Sequence, residues 1–147
     1  MTHVRVTHRP RDTCAPTSKC LYSLVTWSIN IHDEVAEWFL ALCVNDPHSA
    51  DAVEQAVELL AEVGPGLGRP MADVIHGSRL HNLKELRPGS AGRTEIRILF
   101  VFDPEREGIL LVAGDKAGQW RRWYDEAVPL AEKRYQQYLD HKEKEAE

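Results

Sequence analysis

Cysteine is scarce in this chain, three residues in 147, at positions 14, 20 and 43. An odd count without close spacing argues against a disulfide framework and against a cysteine-rich metal site. Cys43 falls in an apolar helical pattern and is expected to pack as a small hydrophobe. Cys14 and Cys20 have reason to pair only in an oxidising setting, to which nothing else points. Long apolar runs are missing as well. No 18 consecutive residues are apolar, so no transmembrane helix is expected. The opening MTHVRVTHRPRDTCAPTSKC has no apolar stretch of the kind a secretory signal needs. A cytoplasmic protein without membrane contact is the expectation. Phosphate-cradling loops are missing too: GPGLGRP holds neither GxGxxG nor a GK[ST] element. No GxSxG elbow is present. The seven histidines are scattered without ligand spacing, so no metal and no cofactor is expected.

Cations are absent from one long stretch. Residues 32–62 carry eight acids and no Lys or Arg, whereas residues 79–122 carry nine Lys/Arg and six acids. The formal net charge of −5 therefore hides a basic middle, an asymmetry that suits a polyanion site in an acidic protein. The eight acids are read as the solvated face of helices.

The length suits one domain, placed at 23–147. Residues 1–22 hold Pro10, Pro16 and scattered cations without an apolar period, and are expected to be a disordered N-terminal extension. They are either a tail or the product of a start codon set too far upstream.

Alternation of β-branched and aromatic residues predicts a strand over Leu24–Ile29. Val35, Phe39, Leu42 and Cys43 then fall at i, i+4, i+7 and i+8, one stripe of a helix, with Asp33 and Glu34 in its first turn. After Asn45-Asp46-Pro47 a second helix is predicted over Ser49–Glu62, ending at Gly64-Pro65-Gly66. The pair forms a helical hairpin. Residues 64–79 read as loop. Three strand signals follow, HNLKELRP, GRTEIRILFVFDP and GILLVAGDK, joined by hairpin-length links, so the sheet is expected to be antiparallel. A short helix over Gln119–Glu126 and a last helix from Pro129 to about Lys144 complete the order.

The chemistry-bearing residues concentrate late. In RTEIRILFVF the apolar parity is Ile96, Ile98, Phe100 and Phe102, and the other parity holds Arg93, Glu95 and Arg97. The hairpin needs one face of the sheet, which leaves Arg97 on the other, with cations of the HNLKELR strand in reach. In GDKAGQWRRWYDEA, Trp120, Trp123 and Ala127 share one helical face and are read as packing. Lys116 at a strand end and Tyr124 on an exposed face suit phosphate contact and base stacking. Arg121 points with Tyr124, and Arg122 has no assigned side. His81 flanks the loop into the sheet.

EWFLAL, VELLAEVGPGLGRPMADVIHGSRLHNLKELRP, GRTEIRILFVFDP and ILLVAGDKAGQWRRWYDEAVPLAEKRY together resemble a toxin of the RelE/ParE superfamily, in the HigB-like branch of type II toxin–antitoxin systems. The likeness covers about Trp27 to Leu139. It implies an α+β, RelE-like fold, in which a helical hairpin packs on a small twisted antiparallel sheet closed by a C-terminal helix. It implies a metal-independent endoribonuclease that cleaves mRNA on the 70S ribosome and halts translation and growth. It also implies a cognate antitoxin, a helix-turn-helix protein through which alone operator DNA is reached. Carried over by position, the catalytic set is Lys84, Arg87, Arg97, Lys116 and Tyr124, with His81, Arg93, Arg121 and Arg122 binding substrate. Lys116 and Arg121 compete for the late basic position, and His81 or Asp115 has room for a role given to lysine elsewhere. Two other readings stay open on the same fold: a ParE-like DNA gyrase inhibitor, and a non-catalytic degenerate toxin that only binds its antitoxin.

Overall fold

The computed structural model describes residues 27–89 and 92–146. The expectations for residues 1–22, for Cys14 and Cys20, for the first half of the Leu24–Ile29 strand and for the middle of the 88–92 link lie outside the described residues.

Local chemistry sets the elements. Strand β1 (Ser28–Ile31) is followed at once by helix α1 (Asp33–Asn45), whose start is capped by His32 Nδ1 accepting from the Glu34 N–H at 3.1 Å. Asp46 opens helix α2 (Pro47–Val63): its carboxylate takes the Ser49 N–H at 3.3 Å and the Ser49 hydroxyl at 2.5 Å. Pro47 sits in the first turn, where a missing N–H costs nothing. The helix ends at Gly64, with φ of 74°. A side chain there would meet the Trp27 indole at 2.3 Å, so glycine serves both the turn and the close approach.

Beyond a short 3₁₀ turn (Gly64–Gly66) come β2 (Ala72–Val74), β3 (Lys84–Leu86), β4 (Ile96–Phe102) and β5 (Glu107–Asp115). Among the described residues these make one sheet in the order β1-β5-β4-β3-β2. β2 through β5 pair antiparallel, but β1 runs parallel to β5, Ser28 opposite Glu107 and Ile31 opposite Leu110. The sheet is therefore mixed, not antiparallel. The hairpin-length links constrain only β3 to β5. β1 reaches the sheet edge through the α1–α2 crossover, and such a connection allows a parallel strand. β2 lies in the stretch that reads as loop; three residues are too few for a period to show.

The last helix, α3 (Trp120–Ala146), is continuous, whereas the sequence suggests a short helix and a second one from Pro129. Pro129 is exposed and lies inside it. The helix runs through because Ala127, Ala131, Tyr135 and Tyr138 are buried on the sheet on both sides of the proline.

The sheet separates two cores. On one face α1 and α2 cover Ile29, Leu86, Ile98, Phe100 and Leu110. On the other α3 covers Leu83, Leu99, Val101, Leu111 and Val112. A bulge at Leu99/Phe100 puts Leu110 on the first face and both Leu111 and Val112 on the second. Cys43 is exposed, against expectation, because the buried stripe of α1 runs through Val35 and the half-buried Phe39 and Leu42. No helix among the described residues is long and apolar enough to cross a membrane.

Candidate active site

Strand parity begins the site. β3 sends Leu83, Glu85 and Arg87 toward α3, and β4 sends Arg97 the same way, since Leu83 and Leu99 share the α3 core. Lys84 has the opposite parity. Its Nζ donates to the Pro65 carbonyl at 2.8 Å, on the hairpin side of the sheet. Lys84 therefore lies on the other face of the sheet from Arg97. The resemblance suggests a shared site; the pleat turns the two side chains to opposite faces.

β5 supplies the next wall. Arg97 pairs with Gly114. A side chain at Gly114 would lie 2.5 Å from Trp123 Nε1, so the bare backbone there seats the indole and brings α3 close to Arg97. Asp115 then turns the chain, its Oδ1 accepting from the Glu95 and Ala117 N–H groups, both at 2.9 Å. Both bonds hold the turn that leads into α3. Lys116 N–H reaches back to the Glu95 carbonyl at 3.0 Å. Gly118, with φ of 74°, makes the turn into α3.

These elements bring five side chains together. Lys116 is only 3% exposed. Its ammonium donates to the Tyr124 hydroxyl at 3.3 Å and lies 4.5 Å from the Trp120 ring centre and 5.2 Å from that of Tyr124. The Tyr124 hydroxyl donates to Glu85 Oε2 at 2.5 Å. Glu85, also 3% exposed, accepts on Oε1 from Arg87 Nε at 2.9 Å and Nη2 at 2.8 Å. Arg87 Nη2 is 3.4 Å from Asp73 as well. Arg97 donates through Nη1 to the Ile96 carbonyl, and its buried Nε has no partner among the described residues.

The electrostatics follow from this crowding. Burial, then the Arg97 guanidinium, lower the pKa of Lys116, with Arg87 adding to the effect against Glu85 and Glu95. Burial and the bond to Glu85 push the Tyr124 phenol well above its usual range, so it stays protonated at neutral pH. An amine held toward neutrality beside two guanidiniums is equipped to take a proton next to an anion.

The remaining expected residues lie elsewhere. Asn82 donates to the Phe102 carbonyl, which puts His81 beyond the opposite end of β3 from Arg87. Arg93, Arg121 and Arg122 are exposed, and Arg122 lies 3.6 Å from Glu126 on its own helix. Between Lys116 and Arg121, the buried position belongs to Lys116. Two participants carry more than their sequence neighbourhood suggests. Glu85 looks like a bystander acid, although it shares parity with Arg87. Trp120 looks like packing, yet it is 59% exposed and meets Tyr124 edge-on at 6.0 Å. Its i, i+4 spacing to Tyr124 is the signal that reveals it.

Residues 37–136 match the family described as "Phage derived protein Gp49-like". A Mycobacterium tuberculosis protein named "Putative toxin HigB2" is 45% identical over 115 residues, covering 78% of this chain and 55% of that protein. A second, "Putative toxin HigB3" of the same organism, is 48% identical over 106 residues, covering 72% of this chain and 88% of that protein. The chain thus spans about half the length of the first relative and most of the second. No solved structure matches the chain.

Proposed function

The chain belongs to the Gp49-like family of phage-derived proteins, and on that premise we propose that it is the toxin of a type II toxin–antitoxin pair, an endoribonuclease of the RelE/ParE superfamily and its HigB-like branch. Its target is mRNA on the ribosome, and cleavage stops translation and growth. The names of the two relatives support the toxin reading. The observation that carries the nuclease reading is the burial of Lys116 beside Arg97, on the one sheet face where Arg87 and Tyr124 also arrive.

RNA cleavage by its own 2′-hydroxyl needs a proton acceptor at that hydroxyl and positive charge at the phosphorane. Lys116 is the acceptor, because its neutral form lies closer to physiological pH than that of a solvated lysine. Arg97 and Arg87 supply the charge. Tyr124, protonated and bonded to both Lys116 and Glu85, fixes the amine in place. Lys84 has no part in this step, and Arg121 and Arg122 are exposed cations suited to the flanking RNA backbone.

A toxin of this kind requires a cognate antitoxin, a helix-turn-helix protein that also mediates contact with operator DNA. The test is expression from a tight promoter. Arg97→Ala and Tyr124→Ala, checked for retained fold, should each relieve growth arrest. A double variant that stays fully toxic overturns the site. Arrest with altered DNA supercoiling and intact transcripts would point to gyrase instead.

A further inference from the structure

A nuclease site is an odd place for a buried carboxylate. Glu85 lies in the middle of the cation cluster, where a substrate phosphate has to sit. Its two oxygens take what a phosphodiester's two free oxygens would take: a side-on guanidinium from Arg87 and a hydroxyl from Tyr124. Lys116 stands behind that hydroxyl. Arg97 adds a buried Nε that no acceptor meets among the described residues. Three cations therefore gather on the sheet face that holds this carboxylate, one in direct contact with it and one through Tyr124, and among the described residues a donor is left over, so the cluster has room for more anion than Glu85 provides.

We propose that Glu85 is a resident counter-anion: it occupies the phosphate seat in the free protein and must give up Arg87 and Tyr124 when an RNA phosphate enters. The proposal rests on the nuclease reading for the identity of the ligand but on the geometry alone for the anion seat. Without Glu85, the buried Lys116 ammonium and two half-buried guanidiniums would crowd together with less opposing charge, which is costly. With it, the free protein is stable and its affinity for short or isolated phosphates is held down. Two anions a few ångströms apart in a partly buried site repel strongly, so a ligand gains the seat only with contacts outside it. Glu85 thereby acts as a specificity residue, favouring a long polyanion over free phosphate.

Glu85→Gln removes the charge and keeps one oxygen for Arg87, while its NH2 faces the Tyr124 hydroxyl, which can turn to accept. Titration with inorganic phosphate, read by Trp fluorescence because Trp120 lies over Lys116, should show at least a tenfold tighter Kd in Glu85→Gln than in the wild type. Glu85→Asp, which keeps the charge, should show no such gain. An RNA oligonucleotide with 2′-deoxyribose at the cleavage position should follow the same order. Equal or weaker phosphate binding by folded Glu85→Gln overturns the proposal. Should that variant fail to fold, the wild type still decides. Phosphate at saturation should shift the Arg87 Nε–H resonance as its acceptor changes, and an unmoved Arg87 with phosphate bound overturns it too. Tighter phosphate binding in Glu85→Gln, with transcripts left intact in cells arrested by the wild type, would uphold the anion seat and sink the nuclease reading.

Discussion

Lys116 concentrates the account at the scale of single residues. In its proposed role of proton acceptor it must lose its own proton first, so kcat/KM should rise with pH below the amine's midpoint and level off above it. That midpoint should lie below the ordinary lysine value of about 10.4, because burial and Arg97 disfavour the ammonium form. A pH–rate profile checks this, and Lys116→Ala should remove the rising limb and lower the rate by about 10²–10³. Trp120 covers the ammonium from solvent. Trp120→Ala should therefore let water in and move the midpoint up toward the solvated value; an unmoved midpoint contradicts the burial argument. Lys84→Ala is the control. It loses one exposed bond to the Pro65 carbonyl and should keep the activity of the wild type. The side that Lys84 takes is legible from strand parity alone: it shares its face with Leu86, a hairpin-side residue. Grouping it with Arg97 weighs charge over the pleat. Glu85 is legible by the same rule, but whether a carboxylate in a basic site is bystander or partner depends on a neighbour 39 positions away, Tyr124.

Elements place those residues, and α3 does most of the placing. Its first turn brings Trp123 onto Gly114 and Tyr124 onto Glu85. Gly114→Ala puts a methyl 2.5 Å from the indole nitrogen. Overpacking of this kind costs about 1–3 kcal/mol. Thermal or denaturant unfolding should show that loss, with catalysis falling further than stability alone accounts for. Farther along, Arg134 is buried and ties the same helix to the sheet and the hairpin through the Leu111 carbonyl at 2.7 Å and an ion pair with Glu34. Arg134→Met should cost about 1–3 kcal/mol, because a buried bond loses its donor. A lower denaturant midpoint with unchanged activity per folded molecule is the expected result. The helical hairpin is legible from its apolar stripe, Asp46 and Gly64. The continuity of α3 is not. Pro129 in a chain reads as a helix start, and only the burial of Ala127 and Ala131 on either side of it says otherwise. The parallel edge strand is also hidden, since no local pattern records which way β1 faces β5.

The whole molecule divides its charge by function. The acid-rich 32–62 stretch forms the hairpin on one side of the sheet, and the cations that matter meet on the other, under the start of α3. That division lets a chain of net charge −5 hold a basic site. It also separates stability from chemistry: the hairpin core tolerates the loss of Lys116 or Arg97, so catalytic variants should fold. The central claim is that this buried cluster cleaves RNA. It is tested most directly by mapping transcript 5′ ends after brief induction, wild type against Lys116→Ala at equal protein levels. New 5′ ends within coding sequences are expected for the wild type and none for Lys116→Ala. Growth arrest with intact transcripts, or the same new ends from Lys116→Ala, would contradict it.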